Sequence, residues 1–176
     1  MSDARSVVLR PTAESDLPAL ERFLLDPATV GSFQWYGWSD PGRWRRRWAE
    51  NGLLGPDAGQ LAVVAEGEEL CGFVGWRRAG LVPASPYWNI GAQLFPEACG
   101  RGIGTEAQRL LVDYLFAHSP VMRLEADTED ANLAEQRALE KCGFTREGVQ
   151  RGAVFRDGRW RDVVRYGLLR TDLRTS

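Results

Sequence analysis

Hydrophobic residues follow two different spacings along this chain, and each spacing predicts one kind of element. Short apolar runs at Val7–Pro11, Leu61–Ala65 and Leu70–Trp76 are typical of buried or half-buried strands. The second and third runs are separated by a polar join, Glu66-Gly67-Glu68-Glu69, which is too short for a crossover connection. We therefore expect these two strands to be antiparallel neighbours.

Elsewhere apolar residues return every three or four positions, which is the spacing of one helix face. A first helix is predicted to start after Ser15 or Asp16, because both residue types are good N-caps. A second helix is predicted with Pro41 in the favoured first position and with Trp44 and Trp48 one turn apart.

The second half of the chain alternates the two patterns. It predicts a strand over Tyr87–Phe95, the best-defined helix over Ile103–Leu115 and a strand over Val121–Asp127. A helix over Asn132–Lys141 and a hairpin over residues 151–169 follow. The order predicts an α/β (α+β) fold, in which a strand-loop-helix-strand unit is flanked by antiparallel pieces of one mixed sheet.

Composition places the chain in an ordinary globular class. With 176 residues, 44% hydrophobic and 26% charged, residues 1–176 are expected to form a single domain, and the net charge of −2 gives no basis for nucleic-acid binding. No signal peptide or membrane-spanning stretch is recognised, so no membrane partner is expected and the cytoplasm is the expected location. Three scattered cysteines and a single histidine, His118, predict neither a disulfide framework nor a metal site.

The most informative segment lies between the predicted strand 87–95 and the helix that follows it. It reads Cys99-Gly100-Arg101-Gly102-Ile103-Gly104-Thr105, with three alternate glycines. Glycines let the backbone approach a ligand closely, and the first turn of a helix offers unpaired N–H groups at its positive end. The segment therefore predicts a site for a phosphate-bearing ligand.

Three kinds of phosphate site compete at this point. A P-loop requires a lysine after its last glycine, but the chain's one lysine is Lys141, so this alternative is nearly excluded. The local sequence also fits a dinucleotide-binding fingerprint, and Glu125 or Asp127 follows at the expected distance. However, dinucleotide-binding folds usually carry this fingerprint near the start of the domain. The third alternative is an acyl-CoA site, in which loop amides hold the pyrophosphate.

Two motifs in order resemble the GNAT superfamily of acetyltransferases. They are residues 100–107 and the run from Asn132 to Phe144, and the chain looks most like the branch that acetylates ribosomal-protein N-termini. The resemblance covers nearly the whole chain. It implies transfer of an acetyl group from acetyl-CoA to a primary amine, of a small molecule or a protein N-terminus, by direct attack in a ternary complex. It further implies that acetyl-CoA lies between two splayed strands, 87–95 and 121–127, and that a homodimer is possible.

The resemblance also assigns the cofactor-binding positions. The backbone at Leu94 or Phe95 is expected to donate an N–H to the oxyanion, although a strand end in the core is the alternative. Asn132 is expected to contact the pantetheine arm, and it is also a candidate helix N-cap. The loop itself is expected to bind the pyrophosphate through Cys99, Gly100, Arg101, Gly102, Ile103, Gly104 and Thr105, with Cys99 where the family usually has arginine or glutamine.

Two carboxylates are the candidate catalytic residues. Glu125 lies on one strand face with Asp127 and is a candidate base, with an ion pair to Arg123 or a water route as alternatives. Glu135 stands where many relatives carry serine, on one helical face with apolar residues. Leu139 occupies the position of a tyrosine that the family uses as an acid. A non-catalytic acyl-CoA-binding module is therefore the alternative function.

The acceptor is expected to meet an aromatic segment before the second helix. Trp35, Tyr36 and Trp38 are candidate substrate-binding residues, because such rings stack on flat groups and hold cationic amines. The alternative is that few of these rings touch a ligand and that Trp44 and Trp48 belong to the core. The run of arginines at 43 and 45–47 is predicted to be a solvated helix face rather than an anion contact.

Overall fold

A computed structural model describes residues 6–67 and 70–173. Seven strands form one sheet: β1 (Val7–Pro11), β2 (Ala58–Ala65), β3 (Gly72–Ala79), β4 (Tyr87–Leu94), β5 (Arg123–Glu129), β6 (Thr145–Arg156) and β7 (Arg159–Leu169). The helices are α1 (Leu17–Leu25), α2 (Pro27–Val30), α3 (Arg43–Asn51), α4 (Ile103–His118) and α5 (Leu133–Lys141). The strand order is β1-β2-β3-β4-β5-β7-β6.

The sheet is antiparallel except at its centre, as predicted. The strands β2 and β3 pair antiparallel with Leu61 opposite Val74, and part of the join between them, Glu68-Glu69, lies outside the described residues. The strands β4 and β5 are parallel, and they pair only from Trp88 opposite Leu124 to Ile90 opposite Ala126. Beyond Ile90 the two strands separate, which confirms the predicted splay.

Two apolar cores cover the two faces of the sheet. On one face, α4 and α5 pack Ile103, Leu111 and Leu139 against Val74 and Leu124. On the other face, α1 and α3 form a smaller core whose buried residues are Leu17, Leu20, Phe23, Leu24, Trp44, Leu53 and Phe95. The helices thus leave a cleft open at the splayed part of β4 and β5.

Several element boundaries differ from the sequence-based expectation. The second helix begins at Arg43 rather than at Pro41, because the Asp40 side chain accepts a hydrogen bond from the Gly42 N–H and forms a turn first. Asp16 precedes α1 as predicted, but its carboxylate binds Arg10 at 2.6 Å instead of capping the helix. In the described part of the chain, no helix has the length and apolar character required to span a membrane.

Candidate active site

The glycine-rich loop joins β4 to α4. Gly100 and Gly102 have φ values of +73° and +79°, a region in which side chains are strained. Gly102 is also the N-cap of α4, and it has no side chain to bind the N–H groups of the first turn. These donors stay uncapped at the positive end of a helix of 16 residues, which fits a pyrophosphate.

A cleft of ≈390 Å³ opens between the splayed ends of β4 and β5, beside this loop. Its lining includes eight of the predicted site residues, namely Leu94, Cys99, Gly100, Gly102, Gly104, Thr105, Asn132 and Glu135. Three of the predicted cofactor-binding residues do not line it. The side chains of Phe95 and Ile103 are buried in the two cores, and Arg101 is exposed and donates to the Glu97 carbonyl at 3.3 Å.

The backbone at the end of β4 distinguishes between Leu94 and Phe95 as the donor. The Phe95 N–H already donates to the Cys71 carbonyl at 2.9 Å. Successive residues of a strand direct their N–H groups to opposite edges, so the Leu94 N–H points away from β3 and towards the cleft. Leu94 is therefore the better-placed donor for an oxyanion.

Asn132 and Glu135 lie together at the start of α5. The Asn132 Oδ1 atom accepts from the Glu135 N–H at 3.3 Å, so Asn132 caps the helix while it lines the cleft. The Glu135 carboxylate accepts a hydrogen bond of 3.3 Å from Gln108. Burial raises the pKa of Glu135, because a desolvated carboxylate disfavours its charged form. Leu139 is fully buried in the core and supplies no acid.

A second cavity of ≈640 Å³ adjoins the cleft, with which it shares Phe33, Gln34 and Asn132. We call it the acceptor cavity. Mainly polar groups of β3, β5, β6 and β7 line it, including Arg77, Asp127, Glu129, Gln150 and Arg165, together with Tyr36 from the loop before α3. A molecule in the acceptor cavity would lie directly beside a molecule in the cleft.

A row of hydrogen bonds crosses the sheet beside the acceptor cavity. Arg77 Nε donates to Asn89 Oδ1 at 3.2 Å, and Asn89 Nδ2 donates to Asp127 Oδ2 at 2.9 Å. Arg165 Nε donates to the other oxygen of Asp127 at 3.0 Å. Both Asp127 oxygens are therefore engaged, and the row holds four side chains in fixed positions across four strands.

A buried ion pair fixes one wall of this cavity, and sequence reasoning missed it. Glu129 and Arg156 form two hydrogen bonds of 2.7 Å, with side chains only 4% and 7% exposed. The Arg156 guanidinium also lies 5.7 Å from the Phe33 ring centroid. The pair thus connects β5, β6 and the loop before α3. Its members are 27 residues apart, so no local spacing indicates their contact.

The aromatic segment is divided between two environments. Tyr36 lines the acceptor cavity, whereas Trp35 packs edge-on against Trp38, which is 74% exposed. Trp44 is buried against Phe73, as its helical spacing predicts. Burial, and secondarily the Glu129 carboxylate, raise the pKa of Tyr36, so its hydroxyl stays protonated at neutral pH.

Glu125 lies outside both the cleft and the acceptor cavity. Its carboxylate accepts a hydrogen bond of 2.7 Å from Arg123, the ion pair that the sequence offered as an alternative. It lines a separate cavity of ≈680 Å³ together with Tyr87 and Arg165. In residues 6–67 and 70–173, no three His, Cys, Asp or Glu side chains form a group suited to a metal ion.

Comparison with known proteins gives partial matches to curated sequences. The chain is 44% identical over 73 residues to the "Probable N-acetyltransferase YjcK" of Bacillus subtilis (strain 168), covering 42% of this chain and 40% of that protein. It is 31% identical over 129 residues to the "Putative ribosomal N-acetyltransferase YdaF" of the same organism, covering 73% and 66%. The matched segments thus span between two fifths and two thirds of these relatives.

Among solved structures, the spermidine N-acetyltransferase of Vibrio cholerae in complex with CoA and spermine has a similar fold. The TM-score is 0.80 at 19% identity, and the alignment covers 94% of this chain and 96% of that one. Residues 6–145 match the family described as "Acetyltransferase (GNAT) domain". That match extends from β1 through the glycine-rich loop and α5, and the chain therefore belongs to the GNAT acetyltransferase family.

Proposed function

We propose that this protein transfers an acetyl group from acetyl-CoA to a primary amine, on a small molecule or a protein N-terminus. One observation carries the proposal: a cleft suited to a pyrophosphate is continuous with a polar cavity through Phe33, Gln34 and Asn132. Two reactants held side by side react without an intermediate carrier on the protein. Direct attack in a ternary complex is therefore the expected route.

The backbone of this chain would hold most of the acyl donor. First-turn N–H groups of α4 and the loop glycines would bind the pyrophosphate, and Asn132 would contact the pantetheine arm. Acetyl-CoA supplies an activated acetyl thioester at the end of that arm. Because the loop binds through backbone groups, Cys99 in place of arginine or glutamine removes one side-chain contact and leaves the amides intact.

The Leu94 N–H is the proposed oxyanion donor. A preorganised donor of this kind contributes roughly 3–4 kcal/mol of transition-state stabilisation where its loss has been measured. The Leu94 side chain also meets the helix directly, since a Cβ built on Gly104 would lie 3.3 Å from Leu94 Cδ1. This packing supports a fixed position for the donor relative to the phosphate loop.

Glu135, Glu125 and water are the candidates for proton transfer. Glu135 lines the cleft, and burial raises its pKa, which makes it one candidate for proton transfer. Glu125 stays a predicted base, and its ion pair with Arg123 supports the alternative in which water removes the proton. With Leu139 in place of a tyrosine, the thiolate would leave as the anion or take a proton through water.

The acceptor amine is proposed to enter the acceptor cavity between the polar row and the aromatic segment. Tyr36 lines this cavity, and Trp35 and Trp38 would form its outer rim. The relatives differ in what their names state that they act on, since one is named for spermidine and one for ribosomes. We therefore leave small amines and protein N-termini as the two acceptor types.

A non-catalytic acyl-CoA-binding module is the second candidate, because Leu139 and Glu135 replace residues that relatives use. A thiol-release assay with acetyl-CoA and a panel of primary amines and N-terminal peptides separates the two. We expect CoA release that depends on the amine and a product heavier by one acetyl group in mass spectrometry. Tight acetyl-CoA binding without turnover on any acceptor would favour the module.

A further inference from the structure

A fourth cavity, of ≈320 Å³, lies on the sheet surface next to the cleft and the acceptor cavity. Its floor contains Gly75 opposite Gly91 on β3 and β4, and Gln60 opposite Gly75 on β2. We call it the trough. It shares Gln34 and Arg77 with the acceptor cavity, so a molecule bound in that cavity can extend into the trough.

Two arginines line the trough without a carboxylate partner. Arg47, on α3, and Arg77, on β3, form no ion pair with any residue in the ranges 6–67 and 70–173. The neighbours of Arg47 in the basic run differ from it, since Arg45 pairs with Glu21 at 2.6 Å and Arg46 pairs with Asp40. The predicted solvated face therefore includes one arginine that faces a cavity.

The orientation of Arg77 leaves its strongest donors free. Its Nε atom binds Asn89 Oδ1 at 3.2 Å, and its two terminal nitrogens donate no hydrogen bond within the described residues. A guanidinium held in this way presents a fork that matches a carboxylate or phosphate. The amide nitrogen of Gln60 is a further donor that is buried without a partner.

Like charges are concentrated on the α3 side of the trough. Arg43 and Arg47 are one turn apart, where like charges destabilise a helix. Burial and, secondarily, the Arg47 charge lower the pKa of Arg43. An anion beside Arg47 would relieve this repulsion, whereas a cation would increase it.

We propose that the acceptor amine carries an anionic group, a carboxylate or a phosphate, which binds in the trough between Arg47 and Arg77. The inference rests on the proposed acetyl transfer, because it places the amine in the acceptor cavity and the anion beside it. The trough's other polar side chains include the amides Gln34, Gln60, Asn89 and Gln93, and no carboxylate among the described residues lines it.

Matched acceptor pairs test this inference. The carboxylate pairs are 4-aminobutyrate against butylamine and tyrosine against tyramine, and the phosphate pair is O-phosphoethanolamine against ethanolamine. We expect the anionic member of at least one pair to have a kcat/KM at least about tenfold higher. Arg47→Gln and Arg77→Gln should each remove most of that advantage through KM, so that kcat/KM falls more for the anionic member than for the neutral member.

Two further variants make the test specific to the trough. Arg45→Gln is the matched control from the same helix, and we expect it to keep the full preference. Gly91→Val should also abolish the preference, because a Cβ at Gly91 meets no atom within 4 Å and the new side chain would occupy the trough. Equal kcat/KM values within every pair, or equal losses for both members in the arginine variants, would overturn the inference.

Calorimetric titration of the acceptor pairs without acetyl-CoA gives a readout that is independent of turnover. We expect the anionic member to bind the unaltered protein at least about tenfold more tightly than it binds the Arg77→Gln variant. Added salt should weaken its binding to the unaltered protein. If no amine releases CoA, the proposed function fails, and this titration still decides whether the trough binds anions. If Arg47→Gln and Arg77→Gln leave anion binding unchanged, the proposal that the anion binds in the trough is wrong.

Discussion

The cleft and the acceptor cavity form the two ends of the proposed active site, the cofactor end and the acceptor end. These two ends are built from different parts of the chain. At the cofactor end, the segment proposed to bind the pyrophosphate is continuous. It comprises residues 96–105 and offers two left-handed glycines and the uncapped N–H groups at the start of α4. The acceptor end combines side chains of β3, β5, β6 and β7 with the loop before α3. Backbone donors depend on local conformation, whereas the side-chain wall depends on how distant strands align.

The two ends therefore depend on different kinds of contact, backbone N–H groups at one end and side chains at the other. A loop of amides binds a pyrophosphate whichever side chains surround it. The acceptor wall depends on charged pairs of side chains such as Asp127 with Arg165, which are not part of the backbone ladder. We therefore expect substitutions at the two ends to change different properties of the protein.

The largest expected effect on ligand affinity is at the cofactor end, through Gly102→Val. Valine at φ +79° is strained by about 1–3 kcal/mol, and a free loop that relaxes must regain this strain on binding, which corresponds to a weakening of roughly 5- to 150-fold. We expect the Kd of acetyl-CoA, measured by calorimetry, to rise by this factor while acceptor binding is retained.

The matched control for this variant is Gly67→Val. Gly67 has nearly the same φ, +78°, and equally open surroundings, but it lies at the end of β2 away from the cleft. It should lose comparable stability and keep its affinity for acetyl-CoA. Equal weakening in both variants would mean that general destabilisation, rather than the loop, explains the loss.

Arg156→Met breaks the acceptor end at its buried ion pair. It leaves the Glu129 carboxylate buried without this partner, and removal of one member of a buried ion pair costs about 3–5 kcal/mol. We expect this drop in the free energy of unfolding in urea, together with a higher KM for the acceptor. Arg109→Met, which removes exposed helix pairs, should change stability by less than about 0.5 kcal/mol.

The smallest expected effect is that of Glu135→Gln on the pH dependence of stability. Burial raises the pKa of Glu135, so the folded protein retains a proton there that the unfolded chain releases. Stability from this group is present at low pH and is lost as pH rises above about 4.3. The variant should therefore melt at a higher temperature than the unaltered protein at pH 7, and at the same temperature near pH 4.

Glu125→Gln is the control of opposite sign. It removes one partner of the ion pair with Arg123, so we expect a lower melting temperature at pH 7. The same two variants test proton transfer when the transfer rate is measured against pH. If Glu125→Gln loses the fall in transfer rate at low pH, Glu125 is the base. An unchanged pH profile would support the water route.

Much of the cofactor end follows from the sequence because its signals are local. The alternation of strand and helix patterns, the three glycines, and Asn132 with the helix it caps were all predicted, and the splay of β4 and β5 is confirmed. The start of α3 was wrong by two residues, because a turn through Asp40 competes with the preference for proline at the first helical position.

The acceptor end was harder to predict because its contacts depend on register. Asn89 meets Asp127 through the parallel pairing of β4 and β5, and Glu129 meets Arg156 only after β6 folds back beside β7. Register shifts occur in that last pair of strands between Gln150 and Val154. A shift of one residue moves a side chain to the other face, so charge spacing in the sequence does not reveal these partners.

The short pairing between β4 and β5 has a consequence for the cohesion of the molecule. The strands β1–β4 form one half-sheet and β5–β7 another, and only three pairs of residues join them in register. A molecule that fills the gap beyond Ile90 contacts both halves and takes the place of the missing part of the ladder. Because such a ligand would bind the folded state and not the unfolded chain, it would raise the free energy of unfolding by an amount that grows with the logarithm of its concentration relative to Kd, and it would act as a structural strut between the half-sheets.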